Sequence, residues 1–347
     1  MNSTLDLSSD AMAAARHGES DDCALIQLPR MSYWNNPNKS PEQQAHIKMR
    51  AQALQAGINL PYSRKISHAR RVLKSLADYT PARWAISYSG GRDSTVLSHL
   101  ALHTPGLGRF PHVMSNTRME YPETIKMVNG WWRFLRSHGI LCETVYPKER
   151  PKDLWPRIGV PVFSKIIAYK YRKFRASESD KIPSKVPKEL HNTFRRMKAA
   201  GIKVTDECCD ELKKKPLKAW QKRNGITGAI TGVRCSESRN RRLAWIMQGA
   251  VYNATSKGTW IANPLAFWTS EDVARYLSEN GLTVLSPDTV QGGSGCVTCM
   301  FGCQARAKEG TLNAMQELAT LNPKMHRAAL DEWGYRAVLD YLGIPYE

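Results

Sequence analysis

The stretch "WAISYSGGRDSTVLSHLALH", residues 84–103, decides the fold class. Its first six residues form a short apolar run that is typical of a buried strand, and a glycine pair ends that run. From Ser94 to His103 the apolar side chains follow a helical spacing. A strand that turns through glycines into a helix predicts the first unit of a βαβ fold.

The same alternation continues along the chain. Further strands are predicted at "HVMSN" (112–116), "LCETVYP" (141–147) and "GAITGV" (228–233), with a helix at "PETIKMVNGWWRFLRSHG" (122–139). Strands alternating with helices are typical of a parallel sheet that helices cover on both faces. The predicted fold class is therefore α/β, with a doubly wound, mainly parallel sheet of about five strands. Helices precede the sheet, and a cysteine-bearing helical lobe follows it.

The predicted domain organisation has four parts. These are a disordered tail at 1–30, a helical region at 31–80, a nucleotide-binding α/β domain at 81–285 and a cysteine-cluster lobe at 286–347. The α/β domain contains a basic helical insertion at about 151–225. The lobe is predicted to close with two helices around the break at Asn322 and Pro323.

Composition narrows the function classes. The 347 residues contain no apolar run that approaches the roughly 20 residues needed to cross a bilayer, and the polar start does not resemble a secretory signal. We therefore expect a cytoplasmic protein without membrane contact. Eight cysteines are too few for a disulfide scaffold, so clustered cysteines indicate metal or redox chemistry.

Basic residues exceed acidic residues by 50 to 31, and the excess is uneven. Residues 148–223 contain 22 basic and 9 acidic residues, so 22 − 9 = +13 of the net charge of +19 lies there. Such an excess suits a phosphate-rich partner, either nucleic acid or a nucleotide. The alternative is a solvated basic face that only keeps the protein soluble.

The turn "SGGRDS" (89–94) is suited to phosphate binding. In a doubly wound sheet, ligands bind beyond the carboxyl ends of the strands, where a helix N-terminus offers free N–H groups to anions. Gly90 and Gly91 allow close approach of the backbone, and Ser89 and Ser94 add hydroxyl donors. Asp93 can orient a magnesium ion or cap the helix. The alternative is an ordinary glycine turn with a serine or aspartate cap.

The same six residues resemble the pyrophosphatase loop SGGxDS of the adenine-nucleotide alpha-hydrolase superfamily, whose members bind ATP and cleave it between the α and β phosphates. Three further stretches resemble one branch, the phosphoadenosine phosphosulfate (PAPS) reductase family. They are "NTRMEYPET" (116–124), "GVRCSESRNR" (232–241) and "NPLAFWTSEDVARYL" (263–277). All of them occur in the order expected for that family.

The resemblance implies a nucleotide site. Its predicted members are Ser89, Gly90, Gly91, Asp93, Ser94, Asn116, Thr117, Gly232 and Arg234. An arginine at position 234 would stabilise charge that develops on a phosphoryl or sulfonyl group. Asp93, Arg234, Glu237 and Cys303 are the candidate catalytic residues. For Glu237 and Arg241 the alternative is a salt bridge at a helix start.

The cysteines form a CC…CxxC arrangement. Cys208 and Cys209 are adjacent, and 296 − 209 − 1 = 86 residues separate them from Cys296, which Cys299 follows. Four thiolates suit tetrahedral zinc or a 4Fe-4S cubane. Adjacent cysteines more readily reach two irons of a cubane than one zinc ion, which favours the cubane over zinc and over four unliganded thiols. The resemblance implies the same cofactor, because adenylyl sulfate reductases of this family hold a 4Fe-4S cluster with such a set.

Cys303 lies at i+7 from Cys296, on the same face if the stretch is helical. Three of the four cluster ligands can therefore come from this stretch, so Cys303 can be a ligand, a sulfur-carrying thiol or a packed residue. Cys23, Cys142 and Cys235 are interpreted as ordinary small residues.

Two departures from the family bear on the reaction. Its reductases use a nucleophilic cysteine in an ECG-type motif near the C-terminus, whereas "RAVLDYLGIPYE" (336–347) contains none. Those reductases also tend to have a degenerate phosphate loop, whereas this loop is complete. Both departures favour an enzyme that uses ATP, similar to the sulfur-transfer enzymes of DNA phosphorothioation and tRNA thiolation. In that chemistry ATP with Mg²⁺ adenylylates an acceptor oxygen, and sulfur then displaces AMP.

Three functions stay open at this point. The first is an ATP-dependent, iron–sulfur-containing sulfur transferase, and the second is a PAPS or adenylyl sulfate reductase that releases sulfite. The third is a non-catalytic nucleotide or nucleic-acid binding module with a structural metal. The partners implied are an adenine nucleotide, a nucleic-acid acceptor suited to the basic stretch, and a sulfur donor or thiol reductant protein.

Overall fold

The computed structural model describes residues 30–78, 82–107, 110–254, 259–284 and 295–347. The predicted tail therefore lies outside the described residues except for Arg30, and so does the predicted domain boundary at 285–286. The chain divides into two compact units. Unit 1 comprises residues 1–113, 127–143 and 221–285, and unit 2 comprises residues 114–126, 144–220 and 286–347.

The strands are short. They are β1 (Trp84–Ser87), β2 (His112–Ser115), β3 (Cys142–Val145), β4 (Val162–Phe163), β5 (Gly228–Ile230), β6 (Val251–Asn253), β7 (Trp260–Ala262) and β8 (Met300–Phe301). Six of them form one sheet in the order β3-β2-β1-β5-β7-β6. β1 runs parallel to β2 and β5, β5 runs parallel to β7, and β6 is antiparallel to β7. The predicted doubly wound, mainly parallel α/β fold is confirmed.

Helices cover this sheet and build the rest of the chain. They are α1 (Pro41–Ile58), α2 (Tyr62–Asp78), α3 (Arg92–Leu102), α4 (Pro122–Ser137), α5 (Pro151–Ile158), α6 (Lys165–Ala176), α7 (His191–Ala199), α8 (Lys215–Arg223), α9 (Arg239–Gln248), α10 (Ser270–Glu279), α11 (Cys303–Lys308), α12 (Ala314–Leu321), α13 (Pro323–Asp331) and α14 (Tyr335–Leu342). None of the described helices is long and apolar enough to span a membrane.

Each unit has its own hydrophobic core. In unit 1, side chains of α2, β1 and α3, among them Leu73, Ile86 and Leu97, are fully buried in one cluster. In unit 2, helices α5, α6 and α14 contribute Trp155, Tyr171 and Tyr335 to another cluster. The two-stranded parallel pair of β4 and β8 also lies in unit 2 and pairs Phe163 with Phe301. Each unit is therefore stabilised by contacts among its own buried residues.

The C-terminal end of the chain differs from the prediction, since three helices close it instead of two. The predicted break is present, because the Asn322 side chain accepts a hydrogen bond from the Met325 N–H (3.1 Å) and so caps α13. A second break follows at Gly334, whose φ of 83° is in the left-handed region. Glycine enters that region at no steric cost, so the chain can turn there and start α14.

Candidate functional site

The predicted phosphate loop of unit 1 is held by its own hydrogen bonds. The Ser94 hydroxyl donates to the Gly91 carbonyl (2.9 Å), and Ser94 Oγ accepts from the Ser89 N–H (3.2 Å). Ser89 Oγ in turn accepts from the Gly91 N–H (3.3 Å). Gly90 has a φ of 76°, which favours glycine. The turn between β1 and α3 is therefore fixed in shape without a ligand.

Helix α3 begins directly after this turn. Its N-cap residue is Gly91, which has no side chain to cap the first turn. The first N–H groups of a helix have no partner within the helix, and they lie at the positive end of its dipole. This end of α3 is therefore suited to an anionic group such as phosphate.

Arg234 lies beside the loop within unit 1. Its Nε donates to Asp93 Oδ1 (2.9 Å), and its Nη1 donates to Ser236 Oγ (3.0 Å). Only 8% of Arg234 is exposed, so these partners compensate a largely buried charge. The structure thus brings the candidate catalytic residues Asp93 and Arg234 together, and the hydrogen bond between them fixes the orientation of both side chains.

Glu237 completes this cluster of charges. Its Oε2 accepts from the Arg234 N–H (3.1 Å), and its carboxylate forms an ion pair with Arg241. The salt bridge that sequence reasoning offered as the alternative role is present. It places Glu237 in the turn that positions Arg234.

Gly232 has a steric role at this site. A Cβ atom on Gly232 would lie 2.9 Å from the Asp93 carbonyl carbon and 3.1 Å from the Ser94 N. Real Cβ contacts are essentially never as short as the first of these. Glycine at this position therefore lets the chain after β5 pack directly against the loop.

The four predicted metal ligands lie together in unit 2. Cys208, Cys209, Cys296 and Cys299 line one cavity of about 20 Å³. The other lining residues are Trp155, Pro161, Leu212, Lys213 and Thr298. The volume accommodates about one water molecule, so binding of a larger group requires these side chains to move apart.

Two distant segments supply the cysteines. Cys208 and Cys209 directly precede a π-helical turn, Asp210–Lys214, that leads into α8. Such turns occur frequently at functional sites. Cys296 and Cys299 flank a tight turn in which the Cys299 N–H donates to the Cys296 carbonyl (3.0 Å).

The thiols have different tendencies to ionise. A hydrogen bond from the Cys208 thiol lowers the pKa of Cys209 to about 6, and the same bond raises the pKa of Cys208. Burial raises the pKa of Cys296 to about 12 and also raises the pKa of Cys299. Since thiolates are the metal-binding form, a bound cation would have to displace protons from these thiols.

A buried network adjoins the cavity. The Glu120 carboxylate, whose side chain is only 3% exposed, lies 3.6 Å from the Lys213 ammonium and accepts from the Thr117 hydroxyl (3.0 Å). The Cys296 thiol donates to Thr117 Oγ1 (3.4 Å). Burial opposes the charge of Lys213, but Cys296 and Glu120 outweigh it and raise the lysine pKa. Lys213 therefore supplies positive charge beside the four thiols.

Sequence reasoning assigned Asn116 and Thr117 to the nucleotide and did not identify Lys213 or Glu120. Thr117 contacts the cysteine cavity as described, and Asn116 Oδ1 accepts from the Arg118 N–H (2.7 Å) in the turn after β2. The only sequence feature that could have indicated a role for Lys213 is its position four residues after Cys209. Nothing in the sequence links Glu120 to a cavity.

The residues around the cavity fit a group with sulfur acceptors. Thr298 Oγ1 and Trp155 Nε1 are buried and have no hydrogen-bond partner among the described residues. Leaving such a donor unsatisfied costs about 1–3 kcal/mol. Because the lining surface of the cavity is apolar, neither donor faces it, and both would have to turn toward a bound group. The four thiols and Lys213 are residue types that suit a 4Fe-4S cluster. Among the described residues, however, no three His, Cys, Asp or Glu side chains are arranged to hold a metal ion. Cluster ligation therefore stays a prediction.

Cys303 lies apart from this set. It is the first residue of α11, is buried in the core of unit 2 and does not line the cavity. Burial raises the pKa of its thiol. These surroundings match the packed-residue interpretation more closely than that of a ligand or a reactive thiol.

A mainly parallel sheet with a glycine-rich turn before a helix places the chain in the class of α/β nucleotide-binding folds. Residues 166–286, about a third of the chain, match the family model of the phosphoadenosine phosphosulfate reductase domain. The predicted resemblance to this family is thereby confirmed. The matched segment contains Cys208, Cys209 and Arg234 but not the SGGRDS loop. No curated protein matches the sequence.

Solved structures to which the chain is similar include PAPS reductase from Candida auris, at 15% identity and a TM-score of 0.39, covering 71% of this chain and 90% of the reductase. The FMN adenylyltransferase of Candida glabrata in complex with ATP gives 11% identity and a TM-score of 0.37 over 67% of this chain and 63% of that enzyme. The U34-tRNA thiolase NcsA from Methanococcus maripaludis, with its 4Fe-4S cluster, gives 13% identity and a TM-score of 0.36 over 90% of this chain and 86% of the thiolase.

Proposed function

We propose that the protein is an ATP-dependent sulfur transferase with a 4Fe-4S cluster. The observation that supports this most directly is the complete ATP-type loop, which is preorganised at the N-terminus of α3 with Asp93 oriented by Arg234. The β and γ phosphates of ATP would leave as pyrophosphate. The helix end and the loop N–H groups would stabilise the charge on that leaving group.

The reaction would proceed in two steps. An oxygen of the acceptor attacks the α-phosphorus of ATP, the bond between the α and β phosphates breaks, and pyrophosphate leaves with both bonding electrons. A sulfide then attacks the acceptor carbon, and the carbon–oxygen bond breaks with release of AMP. Neither step changes an oxidation state when sulfur enters as sulfide.

In this proposal Cys208, Cys209, Cys296 and Cys299 would hold the cluster. Because four thiolates occupy all four irons, one of them would have to leave its iron for sulfide to bind there. Trp155 and Thr298 would donate hydrogen bonds to sulfur, and Lys213 would partly offset the negative charge of four thiolates. Mg²⁺ would shield the phosphates near Asp93.

The second candidate is a sulfonucleotide reductase, which the description of the matched family favours. The test is to offer ATP, PAPS or adenylyl sulfate separately, with RNA and DNA supplied as acceptors, to anaerobically purified protein of measured iron and sulfide content. Pyrophosphate from ATP without sulfite from either sulfonucleotide would support the transferase. Sulfite release would replace it with the reductase, and binding without turnover would indicate a non-catalytic module.

Asp93→Ala provides the matching variant. Because Asp93 both orients Arg234 and lies at the magnesium position of the proposal, we expect pyrophosphate release to fall about 100-fold or more. Asp180→Ala is the control, since the Asp180 side chain is exposed and lies in unit 2. Equal rates in the two variants would remove Asp93 from the mechanism, provided that both melt at the wild-type temperature.

A further inference from the structure

Helix α6 in unit 2 exposes one basic and apolar face. At 100° per residue, five of its side chains point to the same side. This α6 face consists of Lys165, Ile166, Tyr169, Arg172 and Lys173. The opposite side is buried in the unit 2 core through Ala168, Tyr171 and Phe174. The helix is therefore anchored by one side and leaves the other available.

The apolar members of this face are unusually accessible. Ile166 is 59% exposed and Tyr169, one turn later, is 46% exposed. The Arg172 guanidinium carbon lies 5.5 Å from the centroid of the Tyr169 ring, and Arg172 Nε donates to Asp206 Oδ1 (2.7 Å). The ion pairs with Asp206 and Glu207 hold the Arg172 guanidinium over one face of the Tyr169 ring, which stays 46% exposed.

The charge of this face favours a polyanion. Helix α6 contains five basic residues and no acidic residue. Lys165 and Lys173 form no ion pair with another described residue, whereas Arg172 pairs with Asp206 and Glu207. The phosphates of a nucleic-acid strand would supply negative charge to pair with Lys165 and Lys173.

The face also starts near the cysteine cavity. Lys165 is two residues after Phe163, Phe163 pairs with Phe301, and Phe301 is two residues after Cys299. The start of α6 therefore lies near a predicted cluster ligand. A molecule bound along α6 would have one end close to the proposed sulfur source.

We propose that the α6 face binds a single-stranded segment of nucleic acid, with an unpaired base stacked on Tyr169 and backbone phosphates contacted by Lys165 and Lys173. The proposal rests on the proposed function and names the class of its acceptor. Lysines interleaved with an exposed aromatic ring are typical of single-strand binding, whereas a duplex hides the faces of its bases. A membrane-surface helix would need a broader apolar face than two side chains provide.

The test is fluorescence anisotropy of the full-length protein without ATP. The labelled probes are an RNA hairpin with an unpaired loop, the same sequence as DNA and a fully paired duplex, and phosphatidylserine vesicles are tested alongside. We expect the hairpins to bind at least tenfold more tightly than the duplex. Tyr169→Ala should weaken hairpin binding about 5- to 100-fold, the range expected for loss of one stacked base. Lys173→Gln should lower the slope of log affinity against log salt by about 0.7.

The chain offers matched controls. Tyr146 in unit 2 is 48% exposed, and the Arg118 guanidinium carbon lies 4.9 Å from its ring centroid, so Tyr146→Ala removes an equivalent ring elsewhere. Lys188→Gln removes an exposed lysine of the same basic segment. The proposal would be overturned if Tyr169→Ala and Tyr146→Ala weakened hairpin binding equally. It would also be overturned if the protein bound vesicles but not oligonucleotides, or if it bound no hairpin at all.

The outcome is independent of the ATP assay. If hairpins bind through Tyr169 but ATP yields no pyrophosphate, the α6 face stands and the proposed function fails. If pyrophosphate forms but the hairpins do not bind, the α6 face alone fails. Tighter binding of the RNA or the DNA hairpin would identify which of the two to supply as acceptor.

Discussion

At the scale of single residues, Gly232 offers the sharpest test of the loop geometry. Gly232→Ala would bring a methyl group within 2.9 Å of the Asp93 backbone, so the loop must shift. We expect nucleotide affinity, measured by calorimetry with ATP and Mg²⁺, to fall at least tenfold. The physical reason is that a small displacement of the N–H groups misaligns them with the phosphates.

Gly130→Ala is the matched control for this substitution. Gly130 lies within α4 in unit 1, and nothing comes within 4 Å of a Cβ atom at that position. Alanine there should preserve nucleotide affinity and stabilise the helix by about 0.5–1 kcal/mol. If Gly232→Ala bound ATP as tightly as Gly130→Ala, close packing at Gly232 would not matter for the site.

Several residues of the candidate site could be predicted from short-range signals, and others could not. The SGGRDS loop and the two cysteine pairs are contiguous motifs, so their residue types reveal their chemistry. Trp155 and Thr298 are 143 positions apart (298 − 155), and only the fold makes both line one cavity. A tryptophan or threonine is common in any core, which leaves no signal in the sequence for such a role.

At the scale of secondary-structure elements, a buried hydrogen-bond chain joins α4, α3 and β2. Trp131 Nε1 donates to Ser98 Oγ (2.8 Å), the Ser98 hydroxyl lies 2.8 Å from His112 Nε2, and His112 Nδ1 lies 2.9 Å from the Phe110 carbonyl. Because a carbonyl only accepts, Nδ1 must hold the proton and Nε2 must accept from Ser98. The neutral ring therefore satisfies every partner.

This chain predicts a loss of stability in mild acid. Burial lowers the pKa of His112 from 6.5 to about 4, so the unfolded chain binds a proton more tightly than the folded chain. His112 makes its full contribution to the free energy of unfolding above pH 6.5. As the pH falls to 4, the free energy of unfolding decreases by roughly 3 kcal/mol. Urea unfolding at a series of pH values should show this slope, and His112→Gln should reduce it. The part due to His99 should remain, because burial also lowers the pKa of His99 to about 4.

The exposed His138, also in unit 1, provides the control for that experiment. His138→Gln should retain the wild-type dependence of unfolding free energy on pH. If His112→Gln retained it as well, the acid sensitivity would have to come from other groups.

Helices α3 and α4 and strands β1 to β3 lie close to their predicted ranges, because glycines and other turn residues bound the helices and the short apolar runs. β6 and β7 have three residues each, too few to show a period, and tertiary pairing alone makes them strands. The extra break before α14 depends on one glycine in the left-handed region, a conformation that sequence does not specify on its own.

At the scale of the whole molecule, the hydrophobic cores of the two units are separate, so we expect removal of the metal to affect the two units differently. The proposed ligands all lie in unit 2, whose core is formed by its own residues, and the loop lies in unit 1 with a separate core. Metal binding energy stabilises the structure that supplies the ligands. Loss of the cluster should therefore loosen unit 2 and leave unit 1 protected.

Hydrogen exchange of the full chain measures this directly. In Cys209→Ser, purified anaerobically and shown to have lost iron, we expect amides of α8 and of the turn at Cys296–Cys299 to exchange at least tenfold faster, equivalent to about 1.4 kcal/mol. Amides of β1 and α3 should keep the wild-type rate. Cys142→Ser, a buried cysteine of unit 1, should retain the iron and the protection of unit 2. Equal loss of protection in α3 and α8 would show that the two cores unfold as one and that the cluster stabilises the entire chain.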